Sequence, residues 1–145
     1  MSQGLTRNIS PYPPFVQWGV YQEPLRSNGY ASRDYYRWPG RRYGATDNEW
    51  CEWDFYLAAG TYEHEFLYIA EPNAGIVDFK IDGTVIASLD TYWASEVFEA
   101  LIVTSSIDIS TSGLHTARYE TNGKNASSSD YYVSLEGTHQ LRKTA

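Results

Sequence analysis

WCEWDFYLAAGTY, residues 50–62, is the stretch that decides the fold expected for this chain. Apolar and polar side chains alternate through its first eight residues, as they do in a strand with one buried and one wet face. The face predicted to be buried carries Cys51, Trp53, Phe55 and Leu57. Because Ala58-Ala59-Gly60 breaks the alternation and a second run begins at Thr61, we expect two antiparallel strands joined by a tight turn.

Short alternating runs continue through the rest of residues 46–145. The positions expected to face inward are Tyr62, His64, Phe66, Tyr68, Val77, Phe79 and Ile81. Asp82-Gly83 is the strongest short signal for a hairpin turn in the chain, and a closing strand is expected over residues 131–142 with a bulge at Gly137. Roughly eight short strands and no convincing helix predict an all-β fold, an antiparallel β-sandwich of the jelly-roll type.

The N-terminal arm, residues 1–45, is different in kind. It shows no sustained helix or strand period, and it contains five prolines and nine aromatic residues. Its six basic residues are all arginines and give it a net charge of +4, against -11 for residues 46–145. Because this composition is typical of a segment that lies extended on a surface, we expect an attachment arm followed by a β-sandwich domain. The surface could be the chain's own body, a neighbouring copy or another protein.

The residues expected to anchor this arm combine large rings with planar cations, both of which bind well at interfaces. They are Phe15, Trp18, Tyr35, Tyr36, Trp38, Arg41 and Arg42.

The sequence shows no pattern that indicates catalysis, a metal site or a cofactor. His64, His115 and His139 lack metal-ligand spacing and are expected to be packed and hydrogen-bonded. A cluster of five acidic residues would allow a glycosidase pair, but a solvated acidic face explains it better. These residues are Glu49, Glu52, Asp54, Glu63 and Glu65. We therefore expect no enzyme.

Other partners and compartments are constrained by composition. An acidic body with a weakly basic arm predicts no nucleic-acid partner, and no apolar run approaches a membrane span. The single Cys51 has no disulfide partner and is expected to be a small buried hydrophobe. With no secretion signal at the start, we expect the chain to be made in a cytosol.

Several turn and core motifs carry a resemblance. They are residues 53–62 (WDFYLAAGTY), 73–76 (NAGI), 82–84 (DGT), 89–92 (LDTY), 112–116 (SGLHT) and the loop from Gly123 to Ser129. Over about residues 47–143 the chain resembles a jelly-roll domain of tailed-bacteriophage virion proteins, found in head decoration, head-fibre and tail-associated chains. That family is itself similar to the jelly-roll carbohydrate-binding modules.

The resemblance implies a non-enzymatic structural protein of the virion, made in the host cytoplasm. Its arm would dock on the major capsid protein, on another virion protein or on neighbouring subunits, and the jelly roll would project outward as part of a homotrimer. No calcium site can be carried over to particular residues.

A glycan-binding module used in adsorption to the host surface is the alternative. For this role the loops offer Tyr92, Trp93, Asn125 and Tyr131. Residues 90–100 lose the strand period and predict a loop or a single helical turn. Trp93 could stack on a sugar ring there or, with Phe98, plug the core, and the sequence leaves both roles open.

Overall fold

A computed structural model describes residues 12, 14–19, 25–28, 35–36, 41–44 and 46–145. The first strands of this described part are β1 (Phe15–Gly19), β2 (Arg26–Ser27), β3 (Tyr35–Tyr36), β4 (Arg41–Gly44), β5 (Trp50–Leu57) and β6 (Gly60–Ala70). They are followed by β7 (Gly75–Ile81), β8 (Thr84–Asp90), β9 (Val97–Ile109), β10 (Gly113–Lys124), β11 (Val133–Leu135) and β12 (Thr138–Lys143). Helices are absent from these ranges, so none of the described residues forms a membrane-spanning helix.

The strands form two antiparallel sheets. The seven-stranded sheet has the order β1-β12-β6-β11-β4-β3, with β9 on the other side of β6, and the five-stranded sheet has the order β2-β5-β10-β7-β8. The two sheets form a sandwich around one apolar core. The predicted all-β jelly-roll sandwich is confirmed.

The connection between β5 and β6 is not the hairpin expected from the sequence. β5 pairs with β10 and β2, whereas β6 pairs with β9 and β12, so the link through Ala58 and Ala59 crosses from one sheet to the other. The hydroxyl of Tyr62 donates to the carbonyl of Ala58 at 2.8 Å and braces the crossing. A Cβ at Gly60 would lie 2.6 Å from the carbonyl oxygen of Ala145, so the close approach requires glycine. The predicted hairpin was wrong because alternation shows only which face of a strand is buried. It does not show which of the two sheets contains the strand's partner.

The inward faces match the sequence pattern more closely. Every predicted inward position from Tyr62 to Ile81 is buried, and so are Cys51, Trp53 and Leu57. The β7–β8 hairpin turns at Asp82 and Gly83, both at positive φ (52° and 83°), as predicted.

Two strand predictions differ from the structure. The closing segment is two strands rather than one, β11 and β12, which are separated by Glu136 and Gly137. Gly137 takes a φ of 71°, so the expected bulge is a break between strands. β9 begins at Val97, inside the predicted loop. The loop itself, residues 91–96, is therefore shorter than expected.

The core is centred on a hydrogen-bonded chain of rings. Nε2 of His64 lies 2.8 Å from the hydroxyl of Tyr119, and the same hydroxyl lies 3.1 Å from Nδ1 of His139. The ring of His64 also stacks on Phe79 at 3.9 Å. Burial lowers the pKa of both histidines to about 3, so both are neutral at pH 7. The expectation of packed histidines is confirmed for this pair.

The described pieces of residues 1–45 lie on the chain's own body. β1 pairs with β12, β2 with β5 and β4 with β11. Trp18 is only 2% exposed, and its ring packs on Trp53 at 5.7 Å and on Phe55 at 5.3 Å. The expected anchoring role of Trp18 is therefore corrected, because a ring inside the core cannot reach a partner.

The other expected anchors have different positions. Phe15 is exposed on β1. The backbone of Tyr35 and Tyr36 forms β3 and that of Arg41 and Arg42 begins β4, where their side chains lie outside the described part. Trp38 lies outside the described residues altogether. The division of the chain at residue 45 and the partner-binding roles of these residues stay predictions.

The acidic cluster expected on one solvated face is divided between the two sheets. Glu52 and Asp54 lie on the five-stranded sheet, and Arg26 bridges both of them. Glu63 and Glu65 lie on the seven-stranded sheet with Arg142. Glu49 and Glu52 are buried rather than solvated: the hydroxyl of Thr46, in the turn before β5, donates to Glu49, and Arg118 of the neighbouring strand β10 pairs with Glu52.

Candidate functional site

Three loops meet at one end of the sandwich, which we name the loop end. They are residues 71–74 between β6 and β7, 91–96 between β8 and β9, and 125–132 between β10 and β11. The backbone N–H of Trp93 donates to the carbonyl of Glu71 at 3.2 Å, and the N–H of Tyr132 donates to the carbonyl of Asn73 at 3.0 Å. The first loop thus joins the other two into one surface.

Buried hydroxyls stabilise this surface from below. The hydroxyl of Thr91 donates to the carbonyl of Gly75 at 2.6 Å, and that of Ser128 donates to the carbonyl of Ala74 at 2.7 Å. Both side chains are almost fully buried. Because each loop is fixed to the start of β7, the groups displayed above it are held in place before any ligand arrives.

Trp93 is the most prominent side chain of the loop end. It is 59% exposed, although its backbone is tied to Glu71. Of the two roles that the sequence leaves open for Trp93, plugging the core together with Phe98 is excluded, since Phe98 is also exposed, at 47%. The loop between β8 and β9 is anchored through its backbone and through Thr91, so its tryptophan is free to present a flat apolar face to a ligand.

Asp90 and Asn125 form a polar pair at the foot of that loop. Nδ2 of Asn125 donates to Oδ2 of Asp90 at 2.8 Å, and the backbone N–H of Tyr92 donates to Oδ1 of Asp90 at 3.1 Å. Oδ1 of Asn125 accepts the backbone N–H of Ser127 at 2.9 Å. The carboxylate thereby connects the tryptophan loop to the third loop and fixes the orientation of the amide.

The four residues that the sequence suggested for glycan contact all lie at the loop end. Tyr92 and Asn125 are brought together through Asp90, and Trp93 follows directly in the chain. Tyr131 lies near the far end of the third loop, where Nζ of Lys124 sits 5.5 Å from its ring centroid. Among the described hydrogen bonds, those of the Asp90 carboxylate do not include Tyr131.

Sequence reasoning missed Asp90. It ends β8, and an acidic residue at a strand end is ordinarily solvated and carries no information about function. The available signal is its place immediately before an aromatic loop, in Asp90-Thr91-Tyr92-Trp93, but its contact with Asn125 joins residues 35 positions apart.

A concave feature lies at the opposite end of the sandwich from the loop end. A groove of about 240 Å³ runs between the β7–β8 hairpin and the end of β9. Its lining consists of Ile81, Asp82, Thr84, Ile86, Asp108, Ile109, Ser110 and His115. This lining contains no tryptophan, tyrosine or phenylalanine ring, and the imidazole of its one histidine, His115, is hydrogen-bonded at both nitrogens, so the loop end is the better candidate for stacking on a sugar.

The described residues contain no group of three or more histidine, cysteine, aspartate or glutamate side chains that could hold a metal ion. The acidic residues considered for a glycosidase pair are divided between the two sheets, and an arginine bridges the members of each pair: Arg26 bridges Glu52 and Asp54, and Arg142 bridges Glu63 and Glu65. What the loop end can do chemically is bind, through a ring face and paired hydrogen-bonding groups.

No family model and no curated protein matches the chain. Solved structures do match its fold. A Paenibacillus xanthan lyase aligns with a TM-score of 0.70 at 20% identity over 99% of this chain, which spans only 14% of the lyase.

Two carbohydrate-binding modules align over nearly their whole length. The CBM36-1 domain of a multidomain xylanase from the hindgut metagenome of Trinervitermes trinervoides has a TM-score of 0.64 at 17% identity, covering 90% of this chain and 98% of the module. The CBM6cm-2 module of Cellvibrio mixtus lichenase 5A, in complex with cellotriose, has a TM-score of 0.59 at 14% identity, with the same coverage. The likeness of fold to jelly-roll carbohydrate-binding modules is confirmed.

Proposed function

We propose that this chain is a non-catalytic glycan-binding module and that the loop end is its binding site. The observation that carries the proposal is Trp93, a large ring that is 59% exposed while its loop is anchored by buried and backbone hydrogen bonds. A pyranose ring presents an apolar face of C–H groups that stacks on such a surface. Tryptophan is well suited to this contact because its ring is large and rigid.

The polar pair beside Trp93 supplies what a sugar edge requires. A sugar hydroxyl both donates and accepts hydrogen bonds. Asp90 provides acceptor oxygens, and Asn125 keeps one amide N–H beyond the one that it gives to Asp90. A ring platform with a few fixed polar groups is the usual composition of a small-ligand site.

The structural comparisons support the proposal because carbohydrate-binding modules share this fold. Two of the matching structures are complete binding modules of about this length, and one of them is bound to cellotriose. Because identity is below 25%, these structures support a class of function, and the ligand must be argued from the chain's own residues.

Affinity electrophoresis tests the proposal directly. The full chain is run through native gels containing a soluble β-glucan, a xylan or a mannan, with a polysaccharide-free gel as reference. We expect retardation by at least one of these polymers. Migration equal to the reference in all three gels, at polymer concentrations of several milligrams per millilitre, would contradict the proposal.

A structural role in a phage particle is the second candidate, with the virion as its location. The observation that favours it is β9, which pairs with β6 and with no other strand of the described residues. Its exposed side chains include Val97, Phe98, Leu101 and Val103, an apolar row suited to contact with another subunit. The two roles are compatible, since a particle-bound module could serve adsorption to the host surface.

Particle association has its own test. Particles assembled with the full chain should retain it through purification, and mass measurement of the free chain should give a trimer. A monomer that never co-purifies with particles would exclude this role without affecting glycan binding.

A further inference from the structure

We infer that Asp90 makes the loop end selective for uncharged glycans over glycans that carry carboxylate or sulfate groups. This inference rests on the proposed function and adds the chemical class of the ligand. It depends on the hydrogen-bond arrangement around Asp90 and on the charges that surround it.

Asp90 is an exposed carboxylate, and each of its oxygens accepts one hydrogen bond from the described residues: Oδ1 accepts from the N–H of Tyr92, and Oδ2 accepts from the amide of Asn125. A carboxylate oxygen has two lone pairs, so each retains capacity for one more donor. The protein contacts hold the carboxylate in place without using all of its acceptor capacity. A ligand group that approaches it must therefore bring a hydrogen to donate.

Asn125 is oriented by the same contacts. Its Nδ2 points to an acceptor, Asp90, and its Oδ1 points to a donor, the N–H of Ser127, so a flipped amide would lose both hydrogen bonds. One N–H of Nδ2 is left over beside the carboxylate. An acceptor and a donor next to each other match two neighbouring hydroxyls, one donating to Asp90 and one accepting from Asn125.

A uronate or sulfate group meets only one of these requirements, because its oxygens can accept from Asn125 but cannot satisfy Asp90. Its oxygens carry no hydrogen at neutral pH, so they cannot donate to Asp90, and their charge repels the carboxylate. A bound acceptor would also displace water that donates to Asp90 without replacing its hydrogen bond, and this loss is unfavourable. Specificity of this kind arises from a penalty against the wrong ligand as much as from contacts with the right one.

The surrounding charges reinforce this selectivity. Glu96 and Asp130 lie on two of the three loops and add negative charge. Lys124, the last residue of β10, donates to the carbonyl of Ser128 at 3.0 Å and lies over the ring of Tyr131. The negative charge of Asp90 also acts on Tyr68: burial raises the pKa of the Tyr68 hydroxyl, and the charge of Asp90 raises it further. Residues 46–145 carry a net charge of -11, so the long-range field also disfavours polyanions.

The test uses matched polymers and the full chain. The neutral polymer that retards the chain most, among β-glucan, xylan and mannan, is compared with its own carboxymethylated derivative, and the ratio of the two affinities is measured by titration calorimetry. We expect the wild type to bind the neutral polymer at least about fivefold more tightly at low salt, the factor for one like-charge contact of about 1 kcal/mol. Raising the salt concentration should reduce the ratio.

Two variants assign the effect to a residue. Asp90→Asn removes the charge and should lower the ratio toward one, whereas Glu96→Gln removes one charge from the loop that follows Asp90 and should lower the ratio much less. Equal affinities for both polymers in the wild type, a preference for the anionic polymer, or equal changes in the two variants would overturn the inference while leaving glycan binding intact. If Asp90→Asn binds neither polymer, the test is the salt dependence of the wild type: a ratio that falls as the salt concentration rises supports the inference, and a ratio that does not change overturns it. Binding of no polymer by the wild type would overturn the proposed function as well.

Discussion

Nδ1 of His115 lies 2.5 Å from Oδ2 of Asp82, and on the other side of the ring Nε2 lies 2.6 Å from the carbonyl oxygen of Thr111. Both partners are acceptors, so both ring nitrogens must carry hydrogen, and the geometry fits an imidazolium cation. Burial lowers the pKa of His115, but the hydrogen bonds to Asp82 and Thr111 outweigh it, and the pKa is raised. The same carboxylate accepts the N–H of Thr116 at 2.9 Å, so the ion pair fastens the β7–β8 hairpin to β10.

The His115–Asp82 ion pair predicts that the free energy of unfolding decreases as the pH becomes alkaline. A group whose pKa is raised by folding contributes fully below its unfolded value of about 6.5, and this contribution disappears as the pH rises through the folded pKa. We expect the free energy of unfolding of the wild type to contain a component that declines above pH 6.5, and Asp82→Asn to lack it. Urea titrations at pH 6 and pH 8 measure the difference, and the same pH dependence in both proteins would contradict the assignment.

His64 and His139 predict the opposite dependence. Their folded pKa of about 3 lies below the unfolded value, so the unfolded chain binds protons that the folded chain refuses. The free energy of unfolding should therefore fall as the pH drops from 6.5 toward 3, by up to about 1.4 kcal/mol per pH unit for each histidine.

Urea titrations at pH 7, 6 and 5 check this slope. The double variant His64→Gln and His139→Gln should show a shallower slope over this interval, whatever its stability at pH 7. NMR provides an independent check, because the ring signals of His64 and His139 should not titrate between pH 5 and 8, whereas those of His115 should titrate above its ordinary pKa of about 6.5. Titration of all three rings near pH 6.5 would refute both pH predictions.

Trp18 predicts a large mutational effect. It packs against Trp53 and Phe55 inside the core, so Trp18→Ala should lower the free energy of unfolding by about 3–5 kcal/mol. Phe15→Ala is the matched control, since Phe15 is an exposed ring on the same strand, and its effect should stay below about 1 kcal/mol. Equal small effects in the two variants would show that Trp18 is not part of the core.

The division at residue 45 is tested by expressing residues 46–145 alone. This fragment lacks β1, β2, β3 and β4, and the space that Trp18 fills in the core is left empty. We expect it to unfold at a markedly lower temperature than the full chain or to fail to fold. A fragment as stable as the full chain would establish residues 1–45 as a separate attachment arm.

The sequence was informative where one local rule decides the structure. Alternation alone placed Trp53, Tyr62, Phe66 and Phe79 in the core, and Asp82-Gly83 marked the hairpin turn. Alternation could not place β5 and β6 in different sheets, since burial of one face does not depend on which sheet contains the partner strand. Trp18 was misassigned because β1 has only five residues within a proline-rich segment and so gives too short a period to recognise.

The candidate site was predicted in the same partial way. The sequence indicated Trp93 and Asn125 because both lie in predicted loops, where an aromatic ring can stack on a sugar and an amide can hydrogen-bond to its hydroxyls. The exposure of Trp93 depends on how its loop is anchored to Glu71 and Gly75, which is a tertiary property. The role of Asp90 depends on a contact between residues far apart in sequence, and no local pattern encodes it.

Calorimetric titration of two alanine variants tests the central claim most directly. The ligand is the β-glucan, xylan or mannan that retards the wild type, and the variants are Trp93→Ala and Tyr56→Ala. Tyr56 is a matched ring, 51% exposed, that lies opposite Leu114 at the other end of the sandwich. Thermal unfolding confirms that both variants fold. We predict that Trp93→Ala weakens binding at least about tenfold, the loss of about 1.4 kcal/mol typical of a central aromatic contact, and that Tyr56→Ala binds like the wild type. Wild-type affinity in Trp93→Ala, or an equal loss in Tyr56→Ala, would contradict a glycan site at the loop end.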